Sequence, residues 1–167
     1  MTLEALALAV RNMQLFTAVR ESELFYPIVL STHLTCIAIF GGMILATNLR
    51  LLGVAFKDVG TLEMISALRP WKHAGLTLML TCGVLLAGSK LDSYYPNTYF
   101  RLKLFLLGLL IVHAIIFRPV YHKTDGTAAA GLRANGKLAA GLSLLLWTAV
   151  VCAGRWIAYW DSPKAIF

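Results

Sequence analysis

Four stretches of this chain run without a charged residue: Leu24 to Leu49, His73 to Ser89, Leu104 to Phe117 and Leu138 to Gly154. A bilayer core of about 30 Å takes about 20 helical residues, and fewer where flanking Lys and Arg reach back to the headgroups. Each stretch therefore spans once its edges are extended. The pattern predicts four transmembrane helices, at about 24–48, 71–89, 99–121 and 138–160. Residues 49–70 form a polar and apolar mixture ending in Arg69-Pro70, with the proline placed to open the next helix. Residues 90–98, KLDSYYPNT, read as a compact turn through Pro96 and Asn97. After Arg118-Pro119 the run HKTDGTAAAGLRANGK reads as a loop whose alanines allow a short helical turn.

The first residues follow a different pattern. Leu3, Leu6, Val10, Met13 and Phe16 recur at steps of three and four, while Glu4, Arg11, Asn12, Gln14 and Arg20 take other faces. That spacing predicts an amphipathic helix lying in the membrane surface. The alternative is a helix docked on the bundle or on a neighbouring subunit. A secretory signal is the weaker reading, because no basic start leads into an apolar run and a small-residue cleavage site. The expected organisation is an all-α integral membrane protein, with an amphipathic interfacial helix over 1–22 and a four-helix transmembrane bundle over 23–167.

Composition narrows the class further. Of 167 residues, 59% are hydrophobic and 14% charged, and the mean hydropathy is +0.73. A soluble domain needs about a quarter of its residues charged to solvate its surface, so a cytosolic globule is excluded. The net charge of +7 does not point to nucleic acid, since the basic residues flank the apolar segments instead of forming a stripe. Cys36, Cys82 and Cys152 lie within apolar segments without CxxC spacing and read as packing residues. Basic residues divide almost evenly between the two membrane sides. Lys103 and Arg155, which fall inside helices, tip the balance toward a multi-pass protein of the bacterial inner membrane with both termini periplasmic. Tyr26, Tyr94, Tyr95, Tyr99, Trp156, Tyr159 and Trp160 share the side of the termini, and Trp71 and Tyr121 mark the opposite one.

No phosphate-cradling glycine loop, GxSxG, HExxH or carboxylate pair occurs within the apolar segments, which argues against hydrolytic chemistry. Histidine is the unusual feature. His33 falls within the first span, His73 at the start of the second, His113 within the third and His122 just beyond it. Ionisable side chains are costly in a bilayer and usually face a site or a partner. At 1.5 Å of rise per residue, His33 lies about 4–5 Å to one side of the bilayer centre and His113 about 4–5 Å to the other. A haem iron takes imidazole from both faces, and Lys103 and Arg155 lie about 9–10 Å toward the termini, in reach of propionates. Phe40, Gly41, Gly42, Phe117, Gly141 and Trp147 offer aromatic and small residues for a flat slot. A competing pairing sets His73 against His113, with Arg69, Lys72 and Arg118 near the propionates. Each histidine also has a plainer reading as a hydrogen bond between helices or a headgroup-facing residue, and the two cations as side chains snorkelling to headgroups. Asn48 reads as a cap or cross-brace, and Met43 and Met79 as packing.

The runs HLTCIAIFGGMILATNLRLLG at 33–53, FRLKL at 100–104 and AGRWIAYW at 153–160 resemble a small uncharacterised bacterial family of four-helix integral membrane proteins. More distantly, through architecture and inward histidines alone, the chain resembles the copper-resistance D-like proteins and membrane di-haem cytochromes b. The closer resemblance covers most of the chain from about residue 24. It implies a short bundle whose first span ends in an amide or acid, an arginine and a leucine pair, matched by Asn48, Arg50, Leu51 and Leu52. The fourth span carries no histidine, unlike the pattern of a full two-haem complement.

The expected function is one-electron transfer through a b-type haem held by His33 and His113, with His73 as the alternative ligand and Lys103 and Arg155 as propionate partners. Quinone, a periplasmic carrier or other membrane redox subunits are the expected partners, in the setting of the lipid bilayer. The rival readings are a haem-free structural or assembly subunit and a small copper-handling protein that uses the same histidines.

Overall fold

The computed structural model describes residues 3–123 and 130–160, with side chains over 5–117 and 135–160. It is all-α and 86% helical. Among the described residues the helices are α1 (Leu3–Arg11), α2 (Gln14–Glu21), α3 (Phe25–Leu52), α4 (Thr61–Ser89), α5 (Leu91–Tyr94), α6 (Thr98–Lys123) and α7 (Ala130–Ile157). Three of them carry segments long and apolar enough to cross a membrane: Phe25–Leu52, Thr98–Phe117 and Asn135–Ile157. This is a membrane protein by that measure. The predicted second span, 71–89, lies inside α4, a long helix that does not reach the same apolarity because Lys72, His73, Thr77, Thr81 and three glycines dilute it.

The long helices outrun their predicted edges. α3 continues to Leu52 and stops at Gly53, whose φ of 75° lets its N–H return to the Arg50 carbonyl at 3.0 Å while Val54 N–H reaches Leu49 at 3.0 Å. Such a left-handed glycine closes helix C-termini because it has no Cβ to clash. α4 begins at Thr61, so Pro70 does not open it and sits inside it instead. The helix gives up one backbone bond there and is carried through by packing along α3. Of the alanines of the third connection, Ala130 begins α7 and the two before it lie outside the described residues. The 90–98 turn holds α5 and then Asn97, whose side-chain oxygen accepts the N–H of Tyr99 at 2.9 Å and of Phe100 at 3.3 Å. Asn97 thus caps α6.

The closed four-helix bundle expected from sequence is not what packs. Among the described residues, α3 lies along both α4 and α7, and α7 lies along α6, while α4 and α6 share no comparable seam. The helices form a bent row, α4–α3–α7–α6. Its interior holds Cys36, Phe40 and Met79 against Trp147, and Val29, Cys82 and Leu86 against Tyr26. Phe40 meets the Trp147 ring edge to face at 5.3 Å. A Cβ on Gly41 would lie 2.6 Å from Trp147 Nε1, so glycine is what lets the indole rest on the α3 backbone. Asn48 donates to Ser143 Oγ at 3.0 Å across the α3–α7 seam. Along α6, Leu104, Phe105, Ile111, Val112, Ile115 and Ile116 are all exposed. Such a stripe is a liability in water and an ordinary outer face in lipid.

The N-terminal segment differs from the single interfacial helix over 1–22. It breaks after Arg11 into α1 and α2, which dock over one end of the row. Arg11 pairs with Asp92 of α5 at 2.6 Å, and Phe16 of α2 fills the space a Cβ would need on Gly88 of α4. Both helices thus pack on the ends of their neighbours, α2 on α3 and α4 and α1 on α4 and α5.

Candidate functional site

His33 projects from α3 onto α4, where its Nδ1 lies 2.9 Å from the Met79 carbonyl oxygen. A carbonyl only accepts, so Nδ1 carries the proton and Nε2 keeps its lone pair. The ring occupies a notch at Gly83, where a Cβ would stand 3.1 Å from His33 Cε1. The charged neighbour of His33 is Lys103 of α6. The Lys103 stem runs over Gly154 of α7, with Nζ 3.4 Å from the position a Cβ would take. No hydrogen-bond acceptor for Lys103 occurs among the described residues. Two neighbouring arrangements result: His33 of α3 set on the Met79 carbonyl and the Gly83 notch of α4, and Lys103 of α6 laid over Gly154 of α7, with their charges in electrostatic range of each other.

His113 is built differently. It is buried between α6 and α7, its Nε2 donating to the Ala139 carbonyl at 3.0 Å and its ring tilted against Phe117 at 4.8 Å. The nitrogen left over is Nδ1, which lies nearer to the histidine's own backbone. Ten residues of helix, about 15 Å, separate His113 from Lys103 along α6. The structure therefore sets His33 and Lys103 within electrostatic range of each other, and His113 stands apart from them on α6. His73 is exposed on α4 and joins neither. Arg155, the second expected propionate partner, is exposed, and its guanidinium donates to Tyr159 Oη at 2.9 Å and covers that ring. This is the snorkelling arrangement, made possible by a tyrosine one turn further on. His122 and Arg118 lie outside the residues whose side chains are described.

The expected slot for a flat ring is filled. Phe40 and Trp147 close on each other over Gly41, whereas Gly42 and Gly141 face open space. Lys72, assigned to the competing pairing, donates to Thr47 Oγ1 at 2.6 Å and ties α4 to α3. Among the described residues no group of three or more His, Cys, Asp or Glu side chains converges on a point. Gly83, Gly154 and the Met79 carbonyl were not singled out by sequence reasoning. The signal for the glycines was present in principle, as small residues inside apolar helices one helix away from an unpaired polar side chain.

The residues that matched the resemblance have structural work. Asn48 bridges to α7, Leu51 is buried, and Arg50 Nε donates to the Val59 carbonyl at 2.5 Å, holding the connection to α4. The sequence profile of a family of unknown function, DUF6644, matches residues 21–160. No curated protein and no solved structure matches the chain. The likeness to copper-resistance D-like proteins and di-haem cytochromes b has no support from these comparisons.

Proposed function

The chain belongs to the DUF6644 family, and from that premise we propose that it is a multi-pass membrane protein that transfers single electrons through a b-type haem anchored by His33. The observation that carries this reading is the His33 imidazole. Its Nδ1–H is engaged by the Met79 carbonyl, its Nε2 is left for a metal, and Lys103, which has no hydrogen-bond acceptor among the described residues, supplies a cation within electrostatic range. A backbone partner on one ring nitrogen is the usual way a ligating histidine is oriented and its other nitrogen made basic. Lys103 would take a propionate, and Gly83 and Gly154 leave the room both side chains need. Haem would supply the reversible one-electron change at iron; the chain supplies the ligand, the counter-charge and a water-poor setting. His113, held by the Ala139 carbonyl, stands apart from this site and keeps its place between α6 and α7. Quinone in the bilayer or a periplasmic carrier suits such a site as electron partner.

This reading takes α4 as a fourth span. Its run from Leu76 to Ala87 is free of charge, and its flanking cations are satisfied at the two ends, Lys72 by Thr47 and Lys90 by the Tyr26 ring. An inner-membrane location with periplasmic termini belongs to the same proposal. The rival is a haem-free structural subunit, favoured by one observation: both described inward imidazoles bond to a backbone carbonyl of the next helix. An absorption spectrum of the purified protein separates the two. A haem band that sharpens on reduction and disappears in His33→Ala is expected; a colourless preparation with full helical content would sink the haem reading.

A further inference from the structure

At the end of the row where α3 begins and α4 and α7 finish, the docked N-terminal helices border an open pocket of about 440 Å³. Its wall carries Arg11, Arg20 and Lys90 against a single acid, Asp92, with Tyr26 and Ser89 beside them. Arg11 is held by Asp92 at 2.6 Å, but its Nε is buried without a hydrogen-bond partner. Arg20 reaches only the exposed Glu21 at 3.3 Å and the Arg11 carbonyl at 3.4 Å. Lys90 has the face of Tyr26 at 4.5 Å and no acceptor among the described residues. The cavity is thus a donor-rich pocket with surplus positive charge and the size of a small-ligand site. Ile157 and Ala158 also line it, next in sequence to Trp156, which stacks on Tyr99 at 5.7 Å, and such aromatic residues favour the membrane–water boundary.

We propose that this pocket binds a phosphate group, with the headgroup of an anionic phospholipid as its membrane source and inorganic phosphate as its soluble one. Phosphate accepts several charge-assisted hydrogen bonds at once, which is what the Lys90 ammonium, the loosely held Arg20 guanidinium and the buried Arg11 Nε–H offer. A lipid phosphate would enter at the depth where the pocket lies, and basic pockets between helices at this level are suited to such headgroups. Occupancy would also clamp α1 and α2 to the end of α4, since Arg11 and Arg20 come from the first two and Lys90 is the residue that caps the third. This inference is independent of the haem site.

The test is native mass spectrometry of the full chain in detergent, with phosphatidylglycerol, phosphatidylcholine and inorganic phosphate added separately. The wild type should retain phosphatidylglycerol over phosphatidylcholine. Arg20→Gln/Lys90→Gln should lose about thirtyfold of that preference, the effect of two cations at a headgroup surface, and Lys90→Gln alone about fivefold. Arg101→Gln, an exposed cation at the same end of the helices, should leave it unchanged. Retention of inorganic phosphate without lipid preference, lost in the same variants, would support the pocket with a soluble source. Equal binding of both lipids together with no retained phosphate would overturn the proposal, as would variants that bind like the wild type.

Discussion

His33 and His113 are each tied to a backbone carbonyl of a neighbouring helix, yet they are left in opposite states. His33 gives Nδ1 to Met79 and keeps Nε2, the nitrogen farther from its backbone, within electrostatic range of Lys103, which has no acceptor among the described residues. His113 gives Nε2 to Ala139 and keeps only the nitrogen next to its own backbone, with the ring covered by Phe117. A flat macrocycle approaching Nδ1 would meet the α6 backbone first. The choice of ring nitrogen, set by the neighbouring helix, separates a side chain poised to bind from one that fastens two helices. The two halves of the row differ in the same sense. α3 and α4 hold their histidine half-buried in a glycine notch, whereas α6 and α7 bury theirs completely.

The sharpest way to break this comparison is to delete each ring. His113→Ala removes a buried aromatic contact and orphans a helix interface, so it should cost about 2–3 kcal/mol of stability. His33→Ala, half-exposed, should cost about 1 kcal/mol. Thermal unfolding in detergent, followed by circular dichroism, measures both. Equal losses, or the reverse order, would mean that the two imidazoles play the same structural part.

Much of the fold could be read from the sequence, because a charge-free run of bilayer length is a strong signal that needs no partner to interpret. The predicted ends of α3 and α6 lie within four residues of the observed ones, whereas α7 starts at Ala130, eight residues before its predicted start. Pro70 misled because a proline at a charge boundary looks like a helix start, and only packing along α3 shows the helix continuing through it. The candidate site was half legible. A histidine and a lysine inside apolar segments announce themselves by cost. Which of them meet depends on helix rotation, and near-uniform apolar spans carry little periodicity to fix it. Arg155 shows the limit plainly: its depth suited a propionate, while a tyrosine four residues on turned it outward.

Gly83→Ala tests the poised half without touching either histidine. Its new Cβ would stand 3.1 Å from His33 Cε1, so the ring must give by a few tenths of an ångström or leave the Met79 carbonyl. A stability loss of about 1 kcal/mol is expected. Under the haem reading the reduced band should also weaken or shift, while His113 and its half of the row stay as they were. An unchanged spectrum in a haem-loaded Gly83→Ala protein would show that the notch does not position the ring.

The smallest effect is expected where the two halves join. Asn48 and Ser143 are both buried, and their 3.0 Å hydrogen bond crosses the α3–α7 seam. Bonds of this kind within a bilayer are worth about 0.6 kcal/mol and at most about 1.7, because the separated helices find other partners for the same groups. Asn48→Ala and Ser143→Ala should therefore be mildly destabilising, and the double variant should show a coupling of about 0.6 kcal/mol. Phe40 against Trp147 over Gly41 lies on the same seam and supplies close packing where the amide supplies direction. If the coupling exceeded the cost of losing His113, the polar brace would govern how the halves are set relative to each other. His33 and Lys103 would then owe their relative placement to Asn48, since α3 carries the histidine and α7 carries the glycine on which the lysine rests.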